Sequence, residues 1–469
     1  MEGMATRLLF CVALGTAVTA HGHHGESKIQ DGETVSAEPL GTMMWIHILI
    51  QIFAYGVVFP TGMVFGMSKS RWHVPTQVFG TALAIVGFFL GHAHMGREFT
   101  GNNVHASFAW ILQILLCVQV VLGLYLKAHW ETGLNRRIRK LIRPCHSVLG
   151  KLMPIVSWTQ MLFGGITALG FCQGEYLGQC AAHFIMGSAF IGYGIILTII
   201  LLVGQLWLRR SGRSQEFYDS AVLAAWGCVN TFTEHHWGTP WARNDWQHTA
   251  IGIIWWSAGA VGMWLSWDRG RKPKRNFVPG GVLFITGWSM SAHPQELIVS
   301  AAMHSAFGFA LMAGGVSRII EIVFILNDGH SVEDDGREWN SFQFIPIFCL
   351  YAAGFLLIGA NAEQMSLIND SSVDHVSYIH VLLSITCIVF LFVNVLIHIY
   401  DRLVNVSPDN TDDSDGRGRP IEEFDLRGLI SDSDDDDDDD ADERKRMLDG
   451  QESRLSSADT LRNDSRACA

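Results

Sequence analysis

Nine runs of this chain, at residues 43–67, 74–96, 104–126, 147–171, 181–208, 247–267, 297–325, 342–362 and 376–400, are each close to the ~20 apolar residues a helix needs to cross hydrocarbon. No other feature restricts the fold as much, because a chain inside a bilayer must satisfy its own backbone hydrogen bonds. Two shorter runs, 217–233 and 278–292, bring the series to about eleven spans if they tilt or are shielded by neighbouring helices. With 49% hydrophobic residues, the expected fold is all-α, a polytopic membrane helical bundle in contact with the lipid bilayer.

Four histidines open four consecutive spans: His47, His73, His105 and His146. Successive spans run in opposite directions, so His47 and His105 share one membrane face and His73 and His146 share the other. That layout suits two b-type haems (haem b), one above the other, each clamped between neutral imidazoles of two helices. An iron with both axial positions filled by protein passes electrons and binds no substrate. One such histidine alone reads as an interfacial residue, since Arg71-Trp72-His73 and Arg143-Pro144-Cys145-His146 lie where an amphipathic ring is at home. Four in strict alternation point to a cage for transmembrane electron transfer, because a polar ring held in hydrocarbon is costly unless it works.

The first 20 residues read as a signal peptide, with Arg7 ahead of the apolar stretch Leu8–Val18 and the small-residue pattern Ala17-Val18-Thr19-Ala20. Cleavage there leaves the outer segment 21–42, rich in His, Gly and acidic residues. It would begin His21-Gly22-His23-His24, where a histidine at the third position suits Cu(II) or is merely polar. With this N-terminus outside, the connections rich in Lys and Arg, above all 127–143 with Arg136, Arg137, Arg139, Lys140 and Arg143, fall in the cytosol, as the positive-inside rule requires. The expected location is an integral membrane of the secretory pathway, at the plasma membrane or a vacuolar or other endomembrane.

The formal net charge of −12 resides in residues 401–469, which hold 22 Asp and Glu against 10 Lys and Arg; the rest of the chain is balanced. No nucleic-acid partner follows from such a distribution. This tail, with its run Asp434–Asp440, reads as a disordered acidic cytosolic segment. Ser431 and Ser433, just before the run, suit an acid-directed kinase. Of the Asn-x-Ser/Thr sequons at Asn369, Asn405 and Asn463, only Asn369 falls in an outer loop and is a candidate for glycosylation. Cys172 and Cys180 bracket a short outer loop, in a compartment that favours a disulfide; the alternative is two unpaired thiols at helix ends.

Beyond residue 217 a second set of polar residues gathers at span ends: Glu234-His235-His236-Trp237, Trp246-Gln247-His248, His293-Pro294, His304 and His380. By the alternation of spans all five regions face outward. His236, His248, His293, His304 and His380 are candidate ligands for Zn, Cu or Fe, or members of a proton relay; separate interfacial residues are the alternative. Arg318 and Glu321, one helical turn apart, read as an ion pair. Arg97 faces either a haem propionate or Glu98, and His92 and His94 are rivals to His47 and His105. No Gly-rich phosphate loop or Ser/His/Asp hydrolase signature is present.

Two resemblances accompany these residues. His47 followed by Pro60-Thr61-Gly62, then Trp72-His73-x3-Gln77-x2-Gly80, His105 with Gln119 and Gly123, and His146-x3-Gly150 resemble the cytochrome b561 core over about 43–208. That resemblance implies a di-haem bundle carrying electrons from a small-molecule cytosolic donor such as ascorbate to an outer acceptor, as a ferric or monodehydroascorbate reductase does. Glu234-x-His236-Trp237, Asp245-Trp246-Gln247-His248, His293-x10-His304 and Arg318-x2-Glu321-x2-Phe324 are similar to the transmembrane protein 45 family, over about 217–400. The two together, with signal and acidic tail, resemble the fungal YTP-type integral membrane proteins. The leading expectation is an electron-transferring oxidoreductase. Rival readings are a redox-silent metal or proton carrier built on the second cluster, and a sorting protein whose working part is the tail.

Overall fold

The computed structural model describes residues 29, 33–128, 133–235, 238–267, 274–326 and 339–405. The signal segment 1–20, His21 to His24, His236, and the tail beyond residue 405 with Ser431, Ser433 and Asn463 lie outside the described residues.

Helices stand at every position where the sequence places a span: α1 Thr42–Met67, α2 His73–His92, α3 Val104–Lys127, α4 Leu134–Leu169, α5 Leu177–Leu202, α6 Gln215–Thr233, α7 Arg243–Leu265, α8 Val278–Ser291, α9 Ile298–Ile320, α10 Phe344–Ile358 and α11 His375–Asn405. Eight of them, α1 to α5 and α9 to α11, are long and apolar enough to cross a membrane unaided. The other three depend on company. At 14 residues, α8 reaches only about 21 Å, short of the hydrocarbon thickness, and α6 buries Glu216 and Asp219 near its start. Among the described residues no strand forms. Two isolated β-bridges, Val35 to Phe99 and Leu40 to Gly96, tie the segment before α1 to the α2–α3 connection.

The antiparallel pair α1–α2 meets along a seam that the sequence spells out at three- and four-residue intervals. Small residues of α2, Gly80, Ala84, Gly87 and Gly91, face bulkier ones of α1. A Cβ on Gly80 would lie 2.9 Å from Phe59, and one on Gly87 would lie 2.7 Å from Gln51. In lipid such small-residue stripes let helices approach closely, where packing and polar contacts replace the hydrophobic drive. Midway along α1 a π-turn at Ala54–Val58 turns Tyr55 into the bundle, where it is buried. π-turns of this kind frequently accompany functional sites.

In the second half α6 packs on α7, α8 on α9, and α10 against both α5 and α9, while α11 covers α10, α5 and the second half of α1. The α4–α5 join is specific, since Trp158 Nε1 donates to Ser188 Oγ at 2.9 Å. Tyr351, wholly buried in α10, shares a hydrogen bond with Thr198 of α5 at 3.2 Å. This order leaves two ends to the bundle. The starts of α1, α3, α5, α7, α9 and α11 form one, called here the His47 end; the starts of the even-numbered helices form the other, the His73 end.

Candidate functional site

Asn103 caps α3, its Oδ1 accepting from the Ala106 amide at 2.8 Å, and so fixes His105 in the first turn. Across the bundle His47 stands in the second turn of α1. The two rings lie 6.2 Å apart, centre to centre, at 89°. His73, the first residue of α2, faces His146 of α4 with ring centres 6.3 Å apart at 80°. His92 and His94 take no part in either pair: their Nδ1 atoms donate to the carbonyls of Phe88 and Gly91, and the His94 ring packs on Phe99.

Three of the rings are held from behind by hydrogen bonds, while Nδ1 of the fourth, His146, is buried without a partner among the described residues. His47 Nδ1 donates to Gly87 O at 2.6 Å and His73 Nδ1 to Gly62 O at 2.7 Å, which leaves Nε2 of both as a lone-pair donor. A Cβ on Gly91 or on Gly66 would stand 2.7 Å or 2.8 Å from the His47 or His73 ring, so those rings lie flush against bare backbone. Gly164 and Gly123 face His105 and His146 in the same way, at 3.2 Å each. Glutamines complete the cradle. Gln160 Nε2 lies 2.9 Å from His105 Nδ1 and donates to His105 O at 3.0 Å, while Gln119 Nε2 donates to His146 O at 2.9 Å. The Oε1 atoms of Gln51, Gln119 and Gln160 and the hydroxyl of Tyr55 are buried without a protein partner.

These residues fit two six-coordinate haems. A metal–nitrogen bond of about 2.0 Å plus about 1.1 Å to the ring centre, taken on both sides, separates two axial imidazoles by about 6.2 Å. Gly62, behind His73, is 15 residues along α1 from His47, so the two pairs are roughly 20 Å apart along the helix axis.

A second group lies at the same His47 end. The rings of His248 and His293 are 5.5 Å apart, those of His293 and His304 5.8 Å, and those of His304 and His183 6.2 Å. Glu234 Oε2 stands 3.3 Å from His248 Nδ1. Burial pushes the His293 imidazole below its ordinary range. The structure thus brings together three of the expected ligands and adds His183 and Glu234. His380 is not among the rings that meet there. It is exposed on α11, whose buried stripe runs instead through Leu382 and Thr386. His235 is engaged elsewhere, stacked on Trp241 at 4.0 Å and bonded to Asp245 at 3.0 Å.

At the His73 end the pair Arg318–Glu321, 2.7 Å apart, belongs to a larger buried network. Glu216 accepts from Arg318 at 2.7 Å and from Arg275 at 3.0 Å, and Asp219 accepts from the Tyr193 hydroxyl. The network floors a cleft of about 130 Å³ walled by Phe190, Trp226 and Trp255 among others. Sequence reasoning began its sixth span just after Glu216 and so missed it. The available signal was two carboxylates in the first turns of an apolar run.

Elsewhere, Cys172 and Cys180 are joined with Cα atoms 5.3 Å apart, and Glu363 accepts from the Cys172 amide at 2.6 Å. Asn369 is exposed near the end of a short helix, Ala362–Asp370. Arg97 donates to the carbonyls of Glu38 and Ala168, each at 2.8 Å. Its guanidinium ties the segment before α1 to the end of α4, where backbone acceptors outnumber carboxylates.

Residues 156–401 match the family described as Protein YTP1-like, C-terminal, and residues 27–129 match a domain of unknown function, DUF2427. Protein YTP1 of Saccharomyces cerevisiae is 36% identical over 308 residues, which is 64% of this chain and 65% of that protein, a little under two thirds of its length. An uncharacterised membrane protein of Schizosaccharomyces pombe is 21% identical over 490 aligned positions, covering 78% of this chain and 95% of its own. No solved structure matches.

Proposed function

We propose, for a chain that belongs to the YTP1-like family of membrane proteins, that its first four helices carry electrons from one membrane face to the other through two b-type haems. The observation that carries this reading is the pair of ring separations, 6.2 Å and 6.3 Å, at opposite ends of one four-helix group. His47 with His105, and His73 with His146, would hold the two groups. Bound there, a haem would supply a one-electron couple.

The chain's own residues do the rest. Hydrogen bonds from Nδ1 to Gly87 O and Gly62 O fix the tautomer and ring plane of His47 and His73. Apolar walls from α1 to α4, with Ala54, Phe59, Leu112, Leu116 and Met153 packed together between the pairs, keep water from the middle of the group. With its N-terminus outside, the donor is a small reductant in the cytosol and the acceptor, ferric iron or an oxidised small molecule, lies at the His47 end. The resemblance to the cytochrome b561 core supports that direction.

The test is a reduced-minus-oxidised spectrum of the purified full-length protein. An α band near ~560 nm, with two haems per chain, is the expected result. Protein that folds and purifies without haem absorbance overturns the reading, and would favour a redox-silent metal or proton carrier built on the second histidine cluster at the His47 end.

A further inference from the structure

We infer that His183, His248, His293 and His304, with Glu234 behind His248, form a binding site for one divalent transition-metal ion, separate from the haem pairs. Four connections of the fold deliver these residues: α5 supplies His183, the end of α6 supplies Glu234, α7 supplies His248, and the α8–α9 corner supplies His293 and His304. Nothing local requires that four imidazoles from separate helices converge.

Their hydrogen bonds state which atoms face the centre. His183 Nδ1 donates to Gln179 O at 2.8 Å and His304 Nδ1 donates to Ser300 O at 2.8 Å, each on its own helix. A carbonyl only accepts, so both Nδ1 atoms carry the proton and both Nε2 atoms present lone pairs. The Glu234 carboxylate lies 3.3 Å from Nδ1 of the third ring, His248. His293, 8% exposed, sits between them with its Nδ1 against Pro294 O at 3.0 Å and Gln295 Nε2 at 2.8 Å. His183 Nε2 is buried with no partner among the described residues, and a cation satisfies it together with the Nε2 lone pair of His304.

The rings run in a row, with centres 5.5 Å apart for His248 and His293, 5.8 Å for His293 and His304 and 6.2 Å for His304 and His183, wider than the about 5.1 Å of two imidazoles on a tetrahedral ion with a metal–nitrogen bond of about 2.0 Å; no three of their ligating atoms lie within 4.8 Å of one another, so binding must rotate the rings inward. A carboxylate or carbonyl behind each imidazole is the outer shell by which proteins orient histidine ligands. Nitrogen donors with a single carboxylate select Zn(II), Cu(II), Ni(II) or Fe(II) over Mg(II) and Ca(II). Cys172, Cys180 and Glu363, whose ligating atoms lie within 4.8 Å of one another, make no rival site, because the two sulfurs are bonded to each other.

The experiment uses full-length protein in detergent, stripped with a chelator and titrated with Zn(II), with bound zinc counted per chain. His21, His23 and His24 are first changed to Ala so that the terminus contributes nothing. One tightly held zinc is expected. His293→Gln and His304→Gln should each weaken it at least 10-fold, and Glu234→Gln, at the rim and leaving every ring in place, about 10-fold. His380→Gln, outside the group, should leave it unchanged. The inference is overturned if the stripped protein takes up no zinc, or if uptake is indifferent to Glu234→Gln and to both histidine changes. Haem content plays no part in this readout, so it stands or falls apart from the electron-transfer reading.

Discussion

Gly91 and His47 are in register across the α1–α2 seam so closely that a Cβ on the glycine would stand 2.7 Å from Nδ1 and Cε1 of the ring. The relation is reciprocal along the same seam, since Gly66 of α1 gives the same space to His73 of α2. Gly91→Ala is therefore expected to displace His47 and lower haem content by about half, while Gly101→Ala, with nothing within 4 Å, leaves it unchanged. Pyridine haemochrome assay of both variants checks this, and equal haem in the two would show that the ring position is not what holds the group.

The histidine pairs make a pattern of losses that no set of independent residues would produce. His47→Ala and His105→Ala should each remove one and the same haem, and His73→Ala and His146→Ala should each remove the other. Redox titration separates the two species. Full stoichiometry in all four single variants would end the electron-transfer reading.

Arg318 is 8% exposed and bonded to both Glu216 and Glu321. Among the described residues, Arg318→Met leaves Glu321 with only a long contact from Gln343, and a buried charge stripped of its partner costs about 3–5 kcal/mol. Thermal unfolding in detergent should show a large loss of stability. Changing Glu321→Gln in the same chain should restore much of it, because the orphaned charge is then gone; a double variant no better than the single one would refute the pairing.

The Cys172–Cys180 link closes a loop of sequence separation 8, and a cross-link of that size contributes about 2–3 kcal/mol by restricting the unfolded chain. Both cysteines should resist alkylation under denaturing conditions until reduced. Cys172→Ser should lower the unfolding temperature and expose Cys180 to the reagent.

Asn369 is exposed at the His47 end, and its sequon is the one expected outside. Endoglycosidase treatment should shift the protein on a gel, and Asn369→Gln should abolish the shift. A shift that survives would place the sugar on another sequon and reverse the assigned orientation.

How much was legible in the sequence differs between the two halves for a physical reason. The apolar runs and the alternation of His47, His73, His105 and His146 fix the number of helices and which rings share a face, because antiparallel order follows from hydrophobic length alone. The glycines at 66 and 91 and the glutamines at 51 and 77 are also visible there at helical spacing, though their mates are not. In the second half hydropathy is silent about partners. That Glu216 meets Arg318 across 102 residues, that His183 of α5 turns toward His304 rather than toward the histidine pairs of the first four helices, and that His380 stays outside the cluster were decided by how α5 to α11 rotate about their axes. Rotation is set by close packing of small residues against neighbours far away in the chain, a property of pairs of helices that no single run contains.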